Sequence, residues 1–302
     1  MKASIRPDLK QEITNKIIAH IEQNLTTNES LWSSAEMAMP YNFQTKANYR
    51  GINVPLLWME AQTRGFEYGA WLGYGQAIKL GGHVRKGERG TPIIRFIQMT
   101  EKDKKGAVET TEDGETGRTI SCMVTHTVFN VAQIEDISFE LPSVEQAQEF
   151  APIEIAEQLL AASKASIQWA GTEAYYSPIQ DYINMPSRKR FSCAENAYLV
   201  ALHELTHWTA HESRLNRALS LRSRFKNADY AMEEMIAELG SAFLKSSIGL
   251  NGKMENHASY IKSWLTVLKN DKTAIFAAAS KAQQAHDYIM KLATPSAQEA
   301  LI

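Results

Sequence analysis

Two cysteines in 302 residues, Cys122 and Cys193, are too few for a disulfide framework or a cysteine-based zinc finger, and they suit a reducing compartment such as the cytoplasm. No apolar run approaches the roughly 18 residues that a bilayer span needs, so no membrane partner is expected. The opening stretch MKASIRPDLK has no apolar core of a secretory signal. Neither charge sign dominates: 32 Lys and Arg stand against 34 Asp and Glu, a formal charge of −2. That excludes a globally basic protein and restricts any nucleic-acid contact to a local patch. Internal repeats and long low-complexity tracts are also missing. What remains is a chain 44% hydrophobic and 22% charged, able to bury a core and long enough for two domains.

The prolines at Leu141-Pro142 and Ala151-Pro152 flank a Glu/Gln-rich run and mark a boundary, because proline drives its predecessor out of helical geometry. The expected division is residues 1–142 and 143–302. In the first part, Ile13, Ile17, Ile18, Ile21 and Leu25 recur at helical spacing and predict a helix over 8–25. Further helices are expected over 54–63 and 74–80, the latter stopped by Gly81-Gly82. The period then changes, and residues 84–99 and 120–134 predict two strands joined by a charged loop over 101–118. The second part predicts helices near 143–163, 192–211, 228–247, 255–269 and 272–292, with short strands between 166 and 185. The fold class is therefore α+β, a mixed helix/strand part followed by a mostly helical part with a small sheet.

The strongest chemical signal is His203-Glu204-Leu205-Thr206-His207, an HExxH motif inside a stretch without proline or glycine from Ala194 to His211. Helical spacing of four sets two imidazoles on one face, about 5–6 Å apart at Cβ. Both can then reach one divalent ion at roughly 2.0–2.1 Å. Glu204, next to the first histidine, can polarise a water beside the ion and act as general base. Twenty-seven residues beyond His207, Glu234 and Glu238 lie four apart on a helical face otherwise made of Met, Ile, Ala, Leu and Gly. Paired carboxylates on such a face are costly to bury without a cation or donors. Glu234 is the expected third ligand and Glu238 the acceptor that orients an imidazole, with the swapped assignment also open. His211 is set aside as a ligand, since a third histidine eight residues from the first stretches the site over about 12 Å. Zinc suits this donor set best, with manganese the alternative. Asp181, Ile183 and Met185 are the expected edge strand beside the metal, where an extended peptide substrate adds by main-chain hydrogen bonds. Tyr175 or Tyr176 is a candidate donor to an oxyanion.

Residues 40–99 hold eight basic side chains against three acidic ones, interleaved with aromatic rings. Cations that track phosphates and rings that stack on bases make a surface for single-stranded DNA. The candidate contacts are Lys46, Tyr49, Arg50, Trp71, Tyr74, Lys79, Arg85, Lys86 and Arg89. The run Gly81-Gly82-His83-Val84-Arg85-Lys86-Gly87-Glu88-Arg89-Gly90 is not a phosphate-binding P-loop: it lacks the GxxxxGK[ST] order and opens no helix.

Taken together, two sets of motifs resemble a known family. Pro40-Tyr41-Asn42, Tyr49-Arg50-Gly51-Ile52-Asn53, Trp71-Leu72-Gly73-Tyr74-Gly75-Gln76-Ala77 and the Gly81–Thr91 run resemble the N-terminal domain of ArdC-type antirestriction proteins. Asp181, Met185-Pro186, His203 to Thr209 and Glu234 to Leu239 resemble their metallopeptidase-like domain. Ala210 departs from the glycine expected there and leaves the metal set intact. The resemblance spans roughly residues 8–290. It implies a zincin-like fold for the second half. It also implies a plasmid-borne protein of conjugation that binds single-stranded DNA without strong sequence preference and shields incoming DNA from restriction enzymes.

Overall fold

A computed structural model describes residues 8–27, 38–100, 119–139, 151–217, 228–252 and 258–293. Its packing separates two compact units, one made of Met1–Pro40, Asn48–Gly69 and Leu141–Ile302, the other of Tyr41–Ala47 and Ala70–Glu140. Asn48–Gly69 thus packs in the same unit as the residues from Leu141 onward. The helix that begins at Asn53 belongs with the C-terminal helices because Trp58 meets Phe243 edge-on, ring centroids 5.8 Å apart. Arg50, just before it, forms an ion pair with Asp287. Among the described residues no helix is long and apolar enough to cross a membrane.

The larger unit holds α1 (Leu9–Thr27), α2 (Asn53–Arg64), α4 (Ala151–Ser163), α5 (Ala194–Trp208), α6 (Ala228–Ile248), α7 (Ala258–Asn270) and α8 (Ala274–Ala293). It also holds the strands β7 (Ser166–Gly171), β8 (Tyr175–Ser177) and β9 (Tyr182–Pro186). Of the expected apolar stripe of α1, Ile13, Ile17 and Ile21 are buried and Ile18 is half-buried. α1 packs on α7, and Thr14 Oγ1 donates to the Lys272 carbonyl just beyond it. α5 carries Leu199, Leu202 and Leu205 into a core shared with Leu159, Ile183, Met185, Leu244 and Ile289. Its end needs no glycine, because Thr209 Oγ1 turns back onto the Thr206 carbonyl at 2.6 Å. α6 stops where Gly249 adopts φ +68°, a left-handed cap that glycine takes without steric penalty.

The smaller unit is built on a four-stranded sheet in the order β1-β2-β5-β4, from β1 (Tyr41–Asn42), β2 (Ala70–Gly73), β4 (Thr91–Thr100) and β5 (Thr119–Asn130). β4 and β5 form a long antiparallel ladder from Thr91↔Val128 to Thr100↔Thr119. α3 (Tyr74–Lys79) starts directly from β2, its entry fixed by Gln76, whose Oε1 accepts from the Gly73 N–H (2.8 Å) and from Asn42 Nδ2 (2.9 Å). β3 (His83–Val84) pairs with β6 (Ile134–Glu135). The second strand expected over 120–134 therefore breaks. Asn130 Oδ1 accepts from the Ala132 N–H and turns the chain through one 3-10 turn before β6. The loop over 101–118 and the start of the helix expected from 143 lie outside the described residues.

Two expectations are corrected here. β9 is not an edge strand: β7 pairs with it in parallel and β8 antiparallel, so it is the middle of three, with Ile183 and Met185 fully buried. Asp181 sits in the β8–β9 turn at φ +51°, its carboxylate clamped by Arg214 and by the Tyr176 hydroxyl (2.8 Å). Trp71 is not a stacking surface, since none of its area is exposed and a buried ring offers no face to a base.

Candidate metal centre

α5 and α6 pack against each other and carry the chemistry between them. The i,i+4 spacing on α5 brings the His203 and His207 rings to 4.9 Å between centroids. α6 turns Glu234 toward both. One carboxylate oxygen lies 3.5 Å from His203 Nε2 and the other 3.5 Å from His207 Nε2. One donor atom from each of the three residues falls within 4.8 Å of the others. The far side of each ring also faces an acid: His203 Nδ1 is 3.7 Å from Glu238 and His207 Nδ1 is 3.5 Å from Glu233. Both Nδ1 atoms are buried without a hydrogen bond of good geometry. An N–H held toward a carboxylate on one side leaves the Nε2 lone pair free for an ion on the other. Two imidazoles and one carboxylate turned inward, each ring backed by a second carboxylate, fit a divalent cation.

The electrostatics point the same way. Burial opposes charge on His207, yet Glu234 and Glu233 outweigh it and push the imidazole up to about 10. His203 is raised for the same reason, chiefly by Glu234 against its burial. Glu234, though buried, is held well below the ordinary carboxylate range by the two imidazoles. Burial raises Glu238 to about 7, with the Glu234 charge adding to it. Such a cluster stabilises positive charge at its centre.

Glu204 is buried in the same place, and burial raises its carboxyl above the usual range. A carboxyl raised by burial and set beside His203 and His207 is suited to proton transfer near neutral pH. β8, an outer strand of the three-stranded sheet, packs against α5, the helix that carries Glu204. Both β8 and β9 pack against α5, and of the two β8 is the outer strand. The phenols of Tyr175 and Tyr176 are engaged elsewhere, Tyr175 with the Tyr182 hydroxyl (2.8 Å) and Tyr176 with Asp181 and Arg214.

Three further residues line the centre. Glu233, one residue before Glu234, falls outside the i,i+4 pattern that marks Glu234 and Glu238. Tyr230 and Tyr260 bring their hydroxyls to 3.4 Å of each other beside Glu234. Burial and the Glu234 charge raise both phenols, which keeps them protonated donors. Tyr230 was findable, since it lies four residues before Glu234 on the same helical face. His211 stays apart from the centre, its Nδ1 facing Ser213 Oγ at 2.8 Å.

The candidate DNA contacts divide. In the smaller unit Lys46, Tyr74, Lys79, Arg85, Lys86 and Arg89 are exposed. Lys46 lies 4.0 Å from the centre of the Phe43 ring, and Arg85 pairs with Glu88 at 2.9 Å. Tyr74 is 58% exposed and Phe96, on β4, 59%, so these are the accessible rings. Tyr49 and Arg50 belong to the larger unit, where Arg50 is held by Asp287.

A buried HExxH helix, an acid from the following helix and a small mixed sheet define a zincin-like metallopeptidase domain, here joined to a separate sheet-based unit. Residues 154–281 match the family model described as zincin-like metallopeptidase, and residues 7–129 match the N-terminal domain of anti-restriction factor ArdC. The chain belongs to the ArdC antirestriction family. Crystal structures of the antirestriction ArdC protein from the R388 plasmid, metal-free and Mn(II)-bound, are 36% identical over 95% of this chain and 98% of theirs. Their TM-scores are 0.76 and 0.75. The protein y4eC of Sinorhizobium fredii is 37% identical over 93% of this chain and 91% of its own length. Two Escherichia coli proteins named DNA primase TraC are 33% and 31% identical, and the match spans only 20% and 28% of their lengths.

Proposed function

We propose that this protein binds single-stranded DNA through its smaller unit, shields incoming DNA from restriction endonucleases, and carries a divalent-metal centre of peptidase type in its larger unit. The observation that carries the metal centre is the convergence of His203 Nε2 and His207 Nε2 on the two oxygens of Glu234, 3.5 Å each. The Mn(II)-bound relative supports a divalent cation, and the imidazole-rich donor set favours zinc with manganese as the alternative. A cation bound there supplies Lewis-acid polarisation of a carbonyl and acidifies water. Glu204 takes the proton from the attacking water and passes it to the leaving amine. β8 offers an outer strand for an extended peptide, beside the helix that carries Glu204.

The DNA reading rests on family membership and on the exposed basic residues Lys46, Lys79, Arg85, Lys86 and Arg89 with Tyr74 and Phe96. Affinity for single- and double-stranded oligonucleotides at two salt concentrations tests it. A preference for single strands with a salt slope is expected, and loss of either defeats the reading. A second reading, a protease acting on a host protein with DNA binding as recruitment, draws on β8 beside Glu204. It requires that protection be lost with Glu204, whereas we expect protection to survive the Glu204→Ala change.

A further inference from the structure

The two imidazoles of the metal centre are not held alike. Glu233, 1% exposed, lies between His207 and Arg217. Arg217 grips it with two bonds, Nη2 to Oε1 at 3.0 Å and Nε to Oε2 at 3.2 Å. Such forked pairs fix a carboxylate in direction as well as distance. The same guanidinium donates to the Thr206 carbonyl and to Thr209 Oγ1, both at 3.1 Å, at the end of the helix that bears the histidines. Arg217 therefore ties the last turn of α5 to the start of α6 through the acid that faces His207. Glu238, which faces His203 at the longer distance of 3.7 Å, has a different support. Among the described residues no arginine pairs with it. The cation within its electrostatic reach is Lys245, whose ammonium donates to the Gly252 carbonyl at 2.7 Å.

We infer that the Arg217–Glu233 pair is the anchor of the metal centre: it positions His207 as the fixed ligand, while His203, backed by Glu238 alone, is the compliant one. The inference rests on the reading of His203, His207 and Glu234 as a metal site and adds an order of importance to the residues around them. Glu233 and Arg217 act through His207 and touch no substrate, so they are positioning residues. A purely structural ion pair between helix ends would support stability without governing how tightly an ion binds.

The experiment is Zn2+ and Mn2+ affinity by competition titration on the full chain, with thermal melting of the metal-free protein alongside. Glu233→Gln is expected to weaken metal binding about 10–100-fold, as loss of an acid behind a ligating imidazole does, and Glu238→Gln by less than about tenfold. Arg217→Lys, which keeps the charge and loses the fork, is expected to weaken binding in the same direction as Glu233→Gln. In the Zn2+-loaded protein the His207 Nδ1 proton should exchange slowly by NMR, and faster in Arg217→Lys. This readout and that variant decide the matter if Glu233→Gln does not fold. Unchanged affinity in Glu233→Gln or Arg217→Lys, with only the melting temperature lowered, overturns the inference, as does a larger loss in Glu238→Gln. Wild-type protein that binds neither ion overturns the metal centre itself, a failure distinct from the one the variants read.

Discussion

Arg214 pairs with Asp181 in the β8–β9 turn. That pair ties an outer strand of the small sheet to the helix of the HExxH motif. Tyr176 is itself braced, its hydroxyl donating to Asp181 (2.8 Å) and accepting from Arg214 (3.2 Å), whose guanidinium also stacks 3.9 Å from the centre of Trp208 at the end of α5. Strand, turn and helix form one frame beside Glu204, and the proposed proton transfer requires such a defined position.

Glu204→Gln separates chemistry from binding. The change removes the proton acceptor and touches none of the three inward-facing donors. Metal content and oligonucleotide affinity are expected at wild-type levels, and any peptide hydrolysis to fall by about 10²–10⁴-fold, the usual size of a general-base contribution. Metal analysis, oligonucleotide titration and a peptide-cleavage assay on the same preparation check all three. Loss of the metal would show instead that Glu204 serves the ion.

Trp71 and Tyr74 lie three residues apart and should fail in opposite ways. Trp71 fills the interior of the smaller unit, so Trp71→Ala is expected to cost about 3–5 kcal/mol of stability. Tyr74→Ala and Phe96→Ala remove exposed rings. Each is expected to leave the melting temperature nearly unchanged and to weaken single-strand binding by about 1–3 kcal/mol. Denaturant unfolding and fluorescence anisotropy with a labelled oligonucleotide distinguish the two outcomes.

What could be read ahead of the structure followed the range of the interaction. The HExxH helix rests on contacts three and four residues apart, and the carboxylates of α6 stand out against an apolar helix, so His203, His207, Glu204 and Glu234 were visible from spacing alone. The order of strands in a sheet is not local. Asp181 to Met185 has the composition of a strand, but only the pairing of β7 and β8 on either side makes it central. Trp71 looks like a stacking residue among glycines, and its burial depends on how β2 seats between β1 and β5. Glu233 lies outside the i,i+4 spacing that sets Glu234 and Glu238 apart. A step of 100° along a helix turns the neighbour away from the shared face, yet the width of an imidazole lets one ring meet two consecutive acids on opposite edges.

His286 supplies a pH dependence outside the metal centre. Its Nε2 lies 2.8 Å from Ser247 Oγ and its Nδ1 3.1 Å from Asp287, which Gln283 Nε2 (3.0 Å) and Arg50 also hold. Burial lowers the imidazole below its ordinary 6.5, the nearby Arg50 charge adding to this and Asp287 opposing it. The folded state then binds fewer protons than the unfolded state as pH falls through 6.5. The stability from His286 is complete above that value and declines below it, until the folded imidazole also takes its proton. Unfolding free energy measured between pH 7.5 and 5 is expected to fall more steeply in the wild type than in His286→Gln, where this contribution is gone. Parallel curves for the two proteins would remove His286 from the account.

Gly240 sets how closely the two helices of the metal centre approach. A Cβ placed there would stand 2.6 Å from Thr206 Cγ2, closer than packed atoms allow, and 3.1 Å from its Oγ1, a tight contact. Thr206 lies between His203 and His207, and Gly240 two residues beyond Glu238, so the contact occurs where α5 and α6 must hold donors within 4.8 Å of one another. Gly240→Ala is expected to push the helices apart, lowering stability by about 1–3 kcal/mol as overpacking does. It should also weaken metal binding, because the inward-facing donors come from both helices. Thr206→Ala removes the two atoms in the way at the loss of a hydroxyl that bonds back to the Leu202 carbonyl at 2.9 Å. The Thr206→Ala/Gly240→Ala double variant should therefore recover most of the metal affinity lost by Gly240→Ala alone, an interaction that a double-mutant cycle reads directly. Additive losses would mean that Gly240 acts through the propensity of α6 and not through the distance between the helices.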